Sequence, residues 1–81
     1  MPRFLDHHTT MPLPPEAVAQ IQAQLGKRQP DGVTPIQVLV GKDQTYCIAE
    51  AANADLVHKH HEAMGIQLGP GAIEELTATL P

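Results

Sequence analysis

Apolar and polar positions alternate with two different periods along this chain, and the changes of period divide it into strands and helices. Residues 2–9 (PRFLDHHT) read as a short, partly polar first strand. Pro12, Pro14 and Pro15 forbid regular pairing in the stretch that follows and mark a loop. Pro15 and Glu16 suit the first turn of a helix, because proline has no amide to leave unsatisfied there and a carboxylate complements the helix dipole. Ala17, Val18, Ile21 and Leu25 then recur at helical spacing, and Gly26 followed by Lys27 and Arg28 stops the helix. Pro30-Asp31-Gly32 is turn chemistry. Residues 33–40 (VTPIQVLV) are β-branched and aliphatic, a second strand that Pro35 places at a sheet edge. Residues 41–44 read as a hairpin loop and 45–50 (TYCIAE) as the third strand. Asn53 is an N-cap for a second helix that runs to about Met64, with Gly65 at its end. Gly69-Pro70-Gly71 is a turn. In residues 72–80, Leu76, Ala78 and Leu80 alternate with Thr77 and Thr79, which favours a last strand over the alternative of a helix.

The order strand, helix, strand, strand, helix, strand predicts an α+β fold of the ferredoxin-like βαββαβ type. It has a four-stranded antiparallel sheet with both helices on one face. The 81 residues suffice for a single domain, 1–81, whose core is thin, and an open sheet of that size gains stability by pairing with a second copy. Composition narrows the partners. With no Trp, one Phe and one Tyr an aromatic platform for single strands is not expected, and the formal charge is −4 with only 5 scattered basic residues, so no nucleic-acid partner is expected. No apolar run approaches the roughly 20 residues that span a bilayer, and MPRFLDHH is not a signal peptide, so no membrane partner and a cytoplasmic location are expected. The lone Cys47 forms no intrachain disulfide.

Five histidines then change the picture. His7 and His8 lie on the first strand, and His58, His60 and His61 lie on the second helix. The predicted topology brings His7, His8, His60 and His61 to one edge. Strand alternation is expected to place His7 with Leu5 on the helix-covered face, and His8 with Phe4 and Asp6 on the open face. Imidazole is the common nitrogen ligand of Zn²⁺, Ni²⁺, Cu²⁺ and Co²⁺, and Asp6 with His8, two residues apart on one strand face, is spaced to share an ion. The plainer reading is that exposed histidines solvate a helix end. HEAMG at 61–65 begins like a metalloprotease motif but lacks its second histidine. Cys47 reads as a small buried hydrophobe, with a soft ligand as the sharper alternative. Asp6 and Glu50 are expected together on the open face, beside an apolar patch of Phe4, Tyr46 and Ile48.

Three segments carry a family resemblance: MPRFLDHH at the start, Asp43 to Ala51 (DQTYCIAEA) in the third strand, and residues 57–65 with their HHE core. In these the chain resembles, over nearly its whole length, the small bacterial nickel-binding proteins of ferredoxin-like fold. The Tyr-Cys-x-x-Glu-Ala pattern is the most specific part. The resemblance implies a dimeric α/β barrel and a histidine-containing Ni²⁺ site near the first strand and second helix. Position by position, Asp6 and His8 match the family's Asp-x-His, Cys47 and Glu50 its strand-three Cys and Glu, and His61 its helix histidine, with His60 as the other alignment.

The expected function is therefore binding of a divalent transition metal by a homodimer. Nickel comes first, with zinc or another divalent ion as the alternative. Asp6, His8 and His61 are the primary ligands, and His7 and His60 the secondary ones. A second reading is a small isomerase or cofactor-free monooxygenase, similar in architecture to muconolactone isomerase. Its cavity between paired sheets would be lined by Asp6, His8, Tyr46 and Glu50, with His8 as general base. A third is a non-catalytic dimerisation domain.

Overall fold

The computed structural model describes residues 1–78 and 80. The elements run β1 (Arg3–Thr9), α1 (Pro15–Gln24), β2 (Thr34–Val40), β3 (Gln44–Glu50), α2 (Ala54–Ala63) and β4 (Ile73–Leu76). The strands form one antiparallel sheet in the order β2-β3-β1-β4, which is the expected ferredoxin-like α+β arrangement. β2 occupies an edge, and its pairing with β3 slips between Pro35 and Gln37, as a residue without an amide hydrogen requires. The β2–β3 hairpin closes through Gly41, whose N–H donates to the Gln44 carbonyl at 2.8 Å. A Cβ on Gly41 would lie 2.7 Å from that same oxygen, so only glycine fits.

The register between β1 and β3 decides which side chains meet the helices. Phe4 faces Ala49, Asp6 faces Cys47 and His8 faces Thr45. Phe4 and Ala49 are buried in the core with Val33, Ala51 and Val57, and Leu56 and Ile73 pack against it. Phe4, Asp6, His8, Thr45 and Cys47 therefore project from the helix-covered face. The other parity, Arg3, Leu5, His7, Tyr46, Ile48 and Glu50, projects from the open face. There the His7 and Tyr46 rings lie 6.2 Å apart, and Arg3 Nε donates to Glu50 Oε2 at 3.0 Å.

This is the reverse of the facing expected for β1. Phe4 and Leu5 are adjacent and both apolar, so alternation alone leaves the parity of the strand undetermined. The polar Asp6 and His8 pointed to solvent, yet the phenyl ring has the larger area to bury and takes the core. Two expectations fall with that facing. Asp6 and Glu50 lie on opposite faces and form no carboxylate pair. A face-to-face sheet pairing would enclose Tyr46 and Glu50 but not Asp6 or His8, so the cavity expected for the isomerase reading does not exist in that form.

The last strand is also shorter than the expected 72–80. Ile73–Leu76 pairs with β1, ending with Leu76 opposite Arg3, and Thr77 and Ala78 are not in a strand. Continuing the register would pair Thr77 with Pro2, which has no N–H to offer. Thr79 lies outside the described residues.

The two helices are held very differently. In α2, the Asn53 side chain accepts the Leu56 N–H at 3.1 Å. At the other end Gly65, with φ +79°, donates to the Glu62 carbonyl, and Ile66 N–H donates to His61 O at 2.9 Å. These are the two bonds of a Schellman cap. Val57 and His61 are buried on its inner face. In α1, Pro14 occupies the N-cap without a side-chain bond, and no residue is buried. Ala17, Ile21 and Leu25 are half-buried at helical spacing, whereas Val18 points outward.

Candidate metal centre

Four potential ligands converge where β1, β3 and α2 meet. One donor atom from each of Asp6, His8, Cys47 and His61 lies within 4.8 Å of every other. Asp6 and His8 come from the same face of β1, Cys47 from the paired position on β3, and His61 from the last turn of α2. The Schellman cap fixes the backbone of His61 directly, because its carbonyl accepts from both Met64 and Ile66. The His8 and His61 rings are 5.9 Å apart, edge to face.

Both imidazoles are oriented by the backbone. His61 Nδ1 lies 2.9 Å from the Val57 carbonyl and His8 Nδ1 lies 3.0 Å from the Thr9 carbonyl. A carbonyl oxygen only accepts, so Nδ1 carries the proton in each ring. Nε2 of the neutral ring is then left with a lone pair. Histidines that bind metals are commonly tied this way through the second nitrogen.

Asp6 supplies the strongest sign that the cluster is incomplete. Its carboxylate is fully buried, and neither oxygen has a hydrogen-bond partner among the described residues. His61 Nε2 approaches Asp6 Oδ1 to 3.1 Å, close enough for an ion pair but not aligned as a hydrogen bond. A buried carboxylate without a hydrogen bond is among the costliest groups a fold can hold. With Nδ1 protonated, a neutral His61 would present a lone pair to the lone pair of Asp6. Either a second proton on His61 or a cation held between the two relieves that conflict. His61 Nε2 and Asp6 Oδ1, 3.1 Å apart, are close enough together to hold one ion between them. The donor chemistry of two imidazoles, one carboxylate and one thiol suits a borderline divalent ion.

Electrostatics agree. Burial opposes protonation of His61, but the neighbouring Asp6 carboxylate and the Val57 carbonyl outweigh it and hold the ring above the ordinary imidazole value. Burial, reinforced by Asp6, pushes the Cys47 thiol up to about 12. Cys47 is therefore a neutral thiol at physiological pH unless a metal ion draws off its proton.

The other histidines take different places. His7 lies on the open face, across the sheet from this cluster. His60 is adjacent to His61, ring centroids 5.8 Å apart, but its Nδ1 is engaged by the Asp31 carboxylate. His58 pairs with Glu62 one turn along α2. The inner face thus collects Asp6, His8 and His61 and leaves His7 out. Glu50 is occupied by Arg3 on the open side. Asp31, a turn residue by sequence, has a structural role. Besides engaging His60, it accepts the Val33 N–H at 3.0 Å and so clips α2 to the start of β2. Burial works against its charge, but the His60 ring and the Val33 amide keep its pKa below the ordinary value of 3.8. Only its spacing from Val33, an Asx-turn pattern, hints at this in the sequence.

A family model described as "Nickel responsive protein SCO4226-like" matches residues 4–69. The chain belongs to this family. The matched span contains all four clustered residues and stops before β4. No curated protein and no solved structure matches the chain. Among the described residues no helix is long and apolar enough to cross a membrane.

Proposed function

We propose that this member of the nickel-responsive family binds one divalent transition-metal ion per chain, nickel foremost, and that it works as a homodimer. The observation that carries the reading is the buried Asp6 carboxylate, without a hydrogen bond and beside His61 Nε2. Asp6, His8 and His61 are the primary ligands and Cys47 is the fourth donor, a soft one that gives up its proton on binding. His60 acts from behind, holding α2 against the Asp31 turn. His7 has no part in this site.

Nickel fits an N/O/S donor set of this kind, and the family's description favours it over the other divalent ions that the same ligands accept. The homodimer is supported by the uncovered sheet face, where Tyr46 and Leu39 are about two-fifths exposed (40% and 46%) beside Leu5 and Ile48. Sedimentation at micromolar concentration checks that part, and a stable monomer would exclude it.

The metal reading is tested by equilibrium dialysis of untagged protein against Ni²⁺ and Zn²⁺. The wild type is expected to hold about one ion per chain, and the His8→Ala/His61→Ala variant to bind at least about 100-fold more weakly. Equal, weak binding by the two proteins would sink the proposal.

A further inference from the structure

α1 is fastened at both ends and stands away from the sheet between them. Ahead of it, Thr10 N–H donates to the Asp43 carbonyl at 2.9 Å and the Thr10 hydroxyl to the Gly41 carbonyl at 2.8 Å. Pro12, Pro14 and Pro15 stiffen the connection, and Pro14 adopts the extended polyproline geometry (φ −64°, ψ 158°). Behind the helix, Gly26 N–H donates to the Pro35 carbonyl at 2.7 Å, tying it to the edge strand. Between these ties no side chain of α1 is buried.

The space so enclosed is a cavity of about 120 Å³. Ile21 of α1 forms one wall, Val33 and Val38 form the opposite one, and Met11 and Leu13 of the loop at residues 10–14 line it as well. Met11 and Leu13 are 45% and 38% exposed, so they border solvent and cavity at once and mark its mouth. The inner end reaches His8 and His61. Among the described residues the lining contains no Asp, Glu, Lys or Arg. A charged ligand entering it would lose its hydration, and the only ionisable groups on these walls are the imidazoles of His8, His60 and His61 and the Cys47 thiol, all gathered at the inner end. An apolar one would exchange water for aliphatic contacts. Apolar protein cavities of about 150 Å³ accept benzene, which sets the scale of the occupant.

We infer that this cavity is a binding site for one small, uncharged, apolar molecule of about single-ring size, admitted under the loop at residues 10–14. The site shares His8, Cys47 and His61 at its inner end with the metal centre, but its aliphatic walls are present whether or not an ion binds.

Methyl ¹H–¹³C NMR of metal-free protein titrated with benzene tests it, with benzoate as the charged control. Saturable shifts are expected at the Ile21, Val33 and Val38 methyls, half-complete at about 1 mM or below, with benzoate at least about tenfold weaker. Val38→Phe, which fills the cavity, should abolish the shifts, and Ile21→Phe serves the same purpose if that variant does not fold. Absence of a saturable shift up to the solubility of benzene would overturn the inference. So would binding of benzoate as tightly as benzene, or shifts confined to Leu5 and Leu39 on the open face. Close Ile21–Val38 methyl contacts in the unliganded protein would overturn it too, by showing α1 collapsed onto the sheet. The same holds for pocket shifts that follow protein concentration without benzene, which would identify the occupant as a second copy. Because the titration is run without metal, its outcome is independent of the dialysis.

Discussion

The two helices cover the same face of one sheet, yet one is built to hold position and the other to leave room. α2 is capped at both ends, buries Val57 and His61, and is clipped to the start of β2 by Asp31. α1 begins on a proline with no side-chain cap and buries nothing. The difference follows the chemistry that each side serves. A histidine proposed as a ligand would have to be fixed to a fraction of an ångström, and the helix carrying His61 has the caps and the packing that do this. The half of the sheet under α1 presents mainly aliphatic walls, and a helix held at its ends suffices there. In a chain with so thin a core, tight packing is concentrated where the geometry matters.

That contrast can be broken most sharply at the histidines. His61→Ala should weaken nickel binding by at least about 100-fold, while His60→Ala, which only loosens the Asp31 clip, should cost about tenfold or less. Isothermal titration of the two variants ranks them, and equal losses would erase the distinction between ligand and support. Packing gives the next largest effect. Val57→Ala should lower the unfolding free energy by about 2 kcal/mol and Ile21→Ala by less than about 1 kcal/mol, measured by urea denaturation of metal-free protein. Comparable losses would mean that α1 is packed as firmly as α2. Removing the cap by Asn53→Ala should cost about 1 kcal/mol in the same assay. No residue at the start of α1 should match that loss, because that end has no side-chain cap to remove.

The smallest expected effect is on pH. In metal-free protein the folded-state pKa of His61 lies above its ordinary 6.5, so its contribution to stability is complete below about pH 6.5. It is lost as pH rises through the raised folded value. Thermal melts in chelator should therefore show stability falling as pH climbs above 6.5, and His61→Gln should flatten that slope. A slope unchanged in the variant would place its origin elsewhere. Saturating nickel should reverse the trend, since metal competes with protons for Nε2 and for the Cys47 thiol.

Much of the architecture can be read from residue order. The prolines at 12–15, the turn at Pro30-Asp31-Gly32, the Asn53 cap and Gly65 place five of the six elements within a residue or two of where they lie. Pro35 correctly assigns β2 to an edge. These are local signals, each resting on the conformational limits of one or two residues. The length of β4 was not legible, because it depends on a proline at the far end of the chain. The candidate site was legible in its membership and not in its setting. Asp6, His8 and His61 stand out as ligand types at suggestive spacings, and the family pattern adds Cys47. Which face of β1 they occupy did not follow, since Phe4 and Leu5 offer the strand two apolar parities.

Local chemistry thus determines the elements and their order, and supplies the ligand types. Their convergence is a matter of packing. Phe4 turns inward because its ring has the most area to bury, and the two-residue repeat of the strand then carries Asp6 and His8 inward with it. The β1–β3 register sets Cys47 opposite Asp6, and the capped last turn of α2 brings His61 down on both. A carboxylate that the sequence alone would leave in water becomes the buried centre of a site that a metal ion fits.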